Sequence, residues 1–267
     1  MPFDPASKAD QSQDALNRAI YTAPKAYRHY RSETLEPSEI ACLLKYRPKI
    51  AGKTVLDIGV GGGRTTRYLE PLAARYEAID YSPVMIDYMR RKQPGINTHL
   101  ADFRDLSLFG NCSFDFIFAT NNVIDALPHE GRLKALMEAH RVLRPTGILA
   151  FSSHNLNYYK AFAGPHIRWS GNPRRWCASI AKFPLSIWNH ARVGTLREIH
   201  SDYALLNDSG HCYACFHYYA KRSTIISQLQ SAGLQVRDIF DKRGQSVFET
   251  SDDSANSSLT YVAERLC

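Results

Sequence analysis

The stretch that most limits what this chain can become is Lys53-Thr-Val-Leu-Asp57-Ile-Gly59-Val-Gly61-Gly-Gly63-Arg64. Its apolar run, Val55 to Ile58, reads as a buried strand. The glycines then turn the chain into Thr65-Thr-Arg-Tyr-Leu-Glu, which reads as a helix start. Glycine lets a backbone turn sharply and approach a ligand with no Cβ in the way. A helix N-terminus beyond such a turn offers unpaired N–H groups to a polar part of that ligand.

A dinucleotide-binding turn needs Gly-x-Gly-x-x-Gly after the strand. Counted from Gly59 the last position is Arg64, and counted from Gly61 it is Thr66, so neither register fits. The spacing that fits is acid-x-Gly-x-Gly-x-Gly, with Asp57, Gly59, Gly61 and Gly63. A carboxylate at the strand end repels a pyrophosphate and suits a cationic ligand. S-adenosylmethionine (SAM), with an ammonium, a sulfonium and no phosphate, is such a ligand. Val55-Leu-Asp-Ile-Gly-Val-Gly-Gly-Gly-Arg64 resembles the first motif of the class I SAM-dependent methyltransferases. The resemblance implies a Rossmann-like α/β fold, a doubly wound seven-stranded sheet, mostly parallel, with helices on both faces. Its last strand is expected antiparallel, slotted between the fifth and the sixth.

The chain downstream keeps that family's order. Tyr76-Glu-Ala-Ile-Asp80 reads as the second strand, and a carboxylate at its end lies where a parallel βαβ unit meets a ribose. The resemblance therefore maps ribose binding onto Asp80, with Tyr81 beside it, and the adenine site onto Asp102 and Phe103, after a third strand at 96–100. A fourth strand, Ser113 to Ala119, ends in Asn121 and Asn122. It lacks the Asn/Asp-Pro-Pro-Tyr/Phe that family members acting on base or glutamine nitrogens carry there. Asn121 is read as lining the cofactor and Asn122 as orienting the acceptor. An amphipathic helix from Glu130 to Val142 and an Arg144-Pro-Thr-Gly147 turn lead to a fifth strand, 148–153. Segments 234–240 and 259–263 supply the last two. By resemblance, Tyr27 and Tyr30 in the N-terminal segment are candidates for a lid over the cofactor; packing against the core is the alternative.

Four regions follow: a helical segment at 1–50, a SAM-binding core at 51–154, an insertion at 155–216 and a return to the core sheet at 217–267. All three tryptophans (169, 176 and 188) fall in the insertion, and between Asn155 and Cys215 seven lysines and arginines face three acids. It reads as a partly helical cap in which Trp169, Arg174 and Trp176 line the site of a ring-bearing or anionic acceptor. A small core of its own is the alternative. A base that takes the acceptor's proton must stand at the strand ends. His154, directly after the fifth strand, is the first candidate and His217 the second. Asp125 is read as lying a turn or a full strand end away. No metal is expected: His211, Cys212, Cys215 and His217 crowd into seven residues, which leaves little room to wrap a tetrahedron. Neither a Gly-x-Ser-x-Gly elbow nor a P-loop occurs.

Composition narrows the rest. At 267 residues and 44% hydrophobic, the chain can build one elaborated domain, and its six scattered cysteines are no disulfide framework. No apolar run reaches membrane-spanning length, and Met1 to Asp14 lacks the apolar core of a signal peptide. The reading is therefore a cytoplasmic protein without a membrane partner. A net charge of +7 suits either a solvated basic surface or an RNA partner. Methylation of a small molecule at oxygen or nitrogen is the first reading. RNA methylation and a catalytically silent SAM-binding subunit are the alternatives.

Overall fold

The structure, a computed structural model, describes residues 8–24, 26, 34–158 and 160–266. Tyr27 and Tyr30 lie outside the described residues. The expected first strand is β1 (Thr54–Ile58), and β2 (Arg75–Asp80), β3 (Asn97–Leu100), β4 (Phe114–Ala119) and β5 (Leu143–Asn155) follow it in parallel, in the spatial order β3-β2-β1-β4-β5. Strands covered on both faces need no polar side, which is why Val55-Leu56 and Phe116-Ile117-Phe118 run apolar without alternation.

Among the described residues, this part of the chain has five α-helices: α1 (Lys8–Tyr21), α2 (Pro37–Lys45), α3 (Thr66–Leu69), α4 (Pro83–Lys92) and α5 (His129–Val142). On one face of the sheet Cys42, Leu43 and Met89, from α2 and α4, pack against Val55, Phe116 and Phe118. On the other, Leu136 and Ala139 of α5 join Leu56 and Ile117. The helix expected after the glycine turn is only the single turn of α3, because Pro71 follows with no N–H to continue the ladder. A dipole-based anion site is therefore not what this turn offers.

The insertion holds α6 (Pro173–Val193), which starts where the Asn172 side chain accepts from the backbone N–H groups of Arg174 and Arg175 and Pro173 fills the first helical position. It also holds strands that the sequence reading missed. β6 (Glu198–Ile199), β7 (Tyr203–Asn207) and β8 (Phe216–Ala220) form an antiparallel meander. After α7 (Arg222–Ser231) come β9 (Leu234–Phe240) and β10 (Ser258–Arg265), with β10 antiparallel between β5 and β9 as expected. Among the described residues the sheet thus has ten strands, not seven.

The addition is made at one place. β10 borders one edge of β5 along residues 148–154. On the other edge β4 stops at Ala119 opposite Phe151, and β8 takes over at His154 and Asn155. That change of partner opens a gap between the end of β4 and the start of the meander, and His154 stands at its rim. No helix among the described residues is long and apolar enough to cross a membrane.

Candidate active site

A cleft of ≈ 1150 Å³ runs from the glycine turn, across the carboxyl ends of β1, β2, β4 and β5, to the inner side of α6. A smaller pocket of ≈ 210 Å³ opens on the other side of the glycine turn, between Glu36, Asp57 and Asn121. Open α/β sheets hold ligands at this end.

At the glycine end, Gly59 has φ +70°, and a Cβ there would come 2.5 Å from Val123 Cγ2, so only glycine fits. Gly61 turns its N–H to Asp80 Oδ2 at 3.0 Å while the Ser82 N–H reaches Oδ1 at 2.9 Å. The Asp80 carboxylate is thereby fixed at the lip of the cleft, and burial pushes its pKa up to about 6. Asp57 lines the smaller pocket, but its Oδ2 is committed to the fold: the hydroxyls of Thr65 and Tyr76 both donate to it, the latter at 2.6 Å. Burial pushes Asp57 to about 6 as well, against the pull of those bonds. Gly63 lines neither pocket. A Cβ on it would lie 2.6 Å from Met89 Sδ, so this glycine serves the packing of the turn on α4 rather than a ligand. Arg64 closes the turn against α2 through a two-pronged pair with Glu39.

Tyr81, Phe103 and Asn121 all line the cleft. Asp102 does too, but its carboxylate is held by Arg104, through the backbone N–H at 2.9 Å and the guanidinium at 3.0 and 2.8 Å, and by Arg18 of α1. Burial would raise its pKa, and the Arg104 and Arg18 contacts outweigh burial and hold it below the usual range. The ion pairs also carry α1 over the cleft. Arg18 stands 5.1 Å from the Tyr81 ring centre and Tyr21 lines the cleft. The N-terminal segment therefore does reach the site, through Arg18 and Tyr21.

The far end is built around His154. Its Nδ1–H donates to Asp125 Oδ2 at 2.7 Å, and its backbone N–H donates to the same oxygen at 2.6 Å. The other Asp125 oxygen accepts from Arg132 at 2.6 Å and from the Ser153 hydroxyl at 2.7 Å. Asp125 and Arg132 are both fully buried. Burial alone would push the Asp125 carboxyl up; the bond from His154 and the charge of Arg132 overcome that and hold it ionised. Asp125 is thus in direct contact with His154, not a turn away: the 3₁₀ turn Val123–Ala126 folds back under the end of β5. The pairing fixes the imidazole tautomer and leaves the Nε2 lone pair on the cleft side, where the Asn122 amide donates to it at 3.1 Å. Asn121 and Asn122 both have φ 58°, a left-handed pair that aims these amides into the site.

His217 lines the cleft but is not free to act as a base. Asp208 Oδ2 is 2.9 Å from its Nδ1, and the Tyr21 hydroxyl is 2.9 Å from its Nε2. Burial would strip the proton from this ring; the Asp208 charge overrides it and raises the His217 pKa well above the ordinary value. Burial would raise the Asp208 carboxyl; the charge and hydrogen bond of His217, with the Tyr219 hydroxyl at 2.8 Å, overcome that and hold it below the usual range. Among the described residues His154, Asp208 and His217 bring ligand atoms within 4.8 Å of one another. They can hold a metal ion only if His217 gives up the proton that Asp208 stabilises.

In the cap, Trp169 lines the cleft; Arg174 and Trp176, expected beside it, do not. On a helix, neighbours are turned by about 100°, and the side facing inward carries Arg175, Lys182 and Phe183, joined by Arg168 ahead of the helix. Arg168 donates to the Ser209 hydroxyl at 2.5 Å.

The family profile described as a methyltransferase domain matches residues 55–147. A malonyl-[acyl-carrier protein] O-methyltransferase of Pectobacterium atrosepticum is 32% identical over 144 residues, 53% of this chain and 54% of that protein. A trans-aconitate 2-methyltransferase of Methylobacterium nodulans is 36% identical over 129 residues, 46% of each. The chain spans about half the length of the curated relatives it matches. Among solved structures, the 1,6-didemethyltoxoflavin N1-methyltransferase of Burkholderia thailandensis, crystallised with its acceptor and S-adenosylhomocysteine, superposes with a TM-score of 0.61 at 16% identity. It covers 100% of this chain and 94% of that one, a likeness of fold.

Proposed function

We propose, from the match of residues 55–147 to a methyltransferase domain, that the whole chain is a SAM-dependent methyltransferase of class I and methylates a hydroxyl oxygen of a small anionic acceptor. His154 is its general base. The observation that carries the reading is the Asp125–His154 pair. It makes Nε2 the unprotonated nitrogen, at a cleft whose other end is the glycine turn and Asp80, and an acceptor hydroxyl reaches that lone pair by displacing the Asn122 amide that donates to it.

Gly59, Gly61 and Asp80 fit SAM: the turn admits no side chain at Gly59, and the fixed Asp80 carboxylate is an acceptor for ribose hydroxyls. When bound, SAM supplies an electrophilic methyl on its sulfonium. His154 Nε2 takes the proton of the acceptor hydroxyl as that oxygen becomes nucleophilic. The imidazolium so formed is stabilised by Asp125 on one side and by the Asp208 carboxylate, 4.0 Å from Nε2, on the other. Arg132 keeps Asp125 ionised throughout. Arg168, Arg175 and Lys182 favour an acceptor with a negative group, and Trp169 offers it a flat apolar wall.

The names of the relatives suggest a second reading, methylation of a carboxylate, since malonyl and aconitate groups both bear one. A carboxylate needs no base. The test is transfer of labelled methyl from SAM to a panel of hydroxy acids and to their carboxylates by wild type and His154→Ala. Loss of about 10²–10⁴-fold in turnover, with SAM affinity retained, supports the hydroxyl reading. An undiminished His154→Ala enzyme that forms methyl esters refutes it. Methyl transfer to bulk RNA, with binding that falls steeply in salt, would overturn both.

A further inference from the structure

Helix α6 is amphipathic in the wrong sense for a helix that ends at solvent. The side it turns to the protein is small and polar: Ser186 and Asn189 are buried there with Val193, and the Asn189 amide donates to the Cys212 carbonyl at 2.9 Å. Apart from Phe183 and Leu185, which line the cleft, its large apolar residues face out. Trp188 is 59% exposed, Ile187 48%, and Trp176 and Ile180 41% each. At about 100° per residue, Trp176, Ile187, Ile180, Ala191, Pro184, Cys177, Trp188 and Ala181 fill one continuous arc. No charged residue falls within it, and Arg174 and Arg192 stand at its edge. The 21 residues include four arginines and lysines and no acid. Soluble surfaces rarely leave a contiguous apolar patch of this kind without a partner.

We propose that this outer face of α6 seats on an anionic membrane surface. An uninterrupted apolar arc with tryptophans, edged on one side by arginines and free of acids, is the pattern of a helix that lies in the headgroup layer. The tryptophans suit that layer, having an apolar body and a polar N–H. Charge argues against a second copy as the occupant, because a self-paired α6 would face Arg174, Arg192 and their neighbours with more of the same. The sequence excluded a spanning segment, and a helix lying in the interface needs none. The inner face of the same helix lines the cleft through Arg175, Lys182 and Phe183, so a seated α6 brings the cleft to the headgroups. The inference goes beyond the methyl-transfer reading and does not depend on it.

The test is co-sedimentation of the full chain with vesicles of phosphatidylcholine alone and of phosphatidylcholine with phosphatidylglycerol, tryptophan fluorescence being recorded alongside. Wild type should sediment with the anionic vesicles, weakly with the neutral ones, and shift its emission to the blue. Ile187→Asp/Trp188→Asp should lose at least about tenfold in partitioning with an unchanged melting temperature, both side chains being exposed. Leu44→Asp, at an exposed leucine of α2, should bind as wild type does. No sedimentation of the wild type, or equal sedimentation of the double variant, would overturn the proposal. So would a dimer in light scattering that the double variant abolishes, or loss of vesicle binding in Leu44→Asp as well.

Discussion

Replacing Asp125 by asparagine separates what this carboxylate does for the fold from what it does for His154. The wild-type side chain accepts four hydrogen bonds, two from His154 on Oδ2 and two from Arg132 and Ser153 on Oδ1. Asparagine has one acceptor oxygen and one donor amide. Arg132, with no exposed side-chain surface, needs the oxygen more, so the amide turns to His154. There it meets the His154 backbone N–H, which loses its partner, and Nδ1, which can pair with it only as an acceptor. The imidazole must then carry its proton on Nε2, the wrong atom for a base. Arg132 keeps a neutral oxygen in place of a charge and is left largely uncompensated. Breaking a buried ion pair from one side costs about 3–5 kcal/mol. At about 2–4 °C per kcal/mol for a domain this size, the melting temperature should fall by roughly 6–20 °C. Nitrogen-15 NMR of labelled histidine reads the tautomer without needing the acceptor: wild type should have Nδ1 protonated in His154, the variant Nε2. Arg132→Met added to Asp125→Asn should recover part of the stability, because it removes the uncompensated charge, and should leave the tautomer wrong. An Asp125→Asn spectrum with Nδ1 still protonated, or a melting temperature within a degree of wild type, would refute the reasoning.

Asp80→Ala removes the acceptor for both ribose hydroxyls and should weaken SAM binding in calorimetry by about 1.5–3 kcal/mol, with the fold intact. The affinity of the wild type should itself depend on pH. Asp80 titrates at about 6 in the free protein, and a ligand that donates to the carboxylate favours its charged form, so binding should be full above pH 7 and weaken as pH falls through 6. Affinity that is flat from pH 7.5 to 5 would count against Asp80 as the ribose acceptor. Gly63→Ala should cost about 1–2 kcal/mol for its positive φ and for crowding Met89. SAM affinity of the folded protein should stay near wild type, since this glycine lines neither pocket. In the cap, Lys182→Ala should raise the acceptor KM, and Arg174→Ala should not, the first facing the cleft and the second the solvent.

The strands that could be read from sequence are those with one clear local signal. β1 and β4 carry short apolar runs between turns, β2 and β9 keep apolar residues between polar ones in segments bounded by turns, and the Arg144-Pro-Thr-Gly147 turn announces the core of β5. Tyr203-Ala-Leu-Leu-Asn207 and Phe216-His-Tyr-Tyr-Ala220 are local apolar runs too, but they follow a stretch rich in tryptophan, proline and arginine that reads as short helical pieces. A buried strand without alternation cannot be told from a piece of helix there. The site divides in the same way. Gly59, Gly61 and Asp80 belong to one βαβ unit, where sequence distance fixes spatial distance. His154 and Asp125 are 29 residues apart and meet only because β5 outruns β4. Tyr21 and His217 are 196 apart, so nothing local shows that His217 has both nitrogens engaged. Arg174 and Arg175 are adjacent, and only the phase of α6 decides which one faces the cleft.

Four carboxylates, three buried and Asp208 nearly so, show how charge is sorted around the cleft. At the far end Asp125 and Asp208 are matched by cations of the protein itself, Arg132 and the protonated His217, and both stay ionised well below neutral pH. At the glycine end Asp57 and Asp80 accept only from hydroxyls and backbone N–H groups, and burial lifts both to about 6. Holding two such carboxylates ionised at neutral pH is unfavourable unless positive charge or donors approach them. A ligand with an ammonium and a sulfonium provides that charge, and its binding should lower both pKa values and release protons near pH 6. A pyrophosphate would do the opposite. On the proposed reading, a preference for SAM over a dinucleotide would rest on the same carboxylates that first distinguished the glycine motif. Proton release on SAM binding, measured in buffers of different ionisation enthalpy at pH 6, checks it directly. Proton uptake would contradict it.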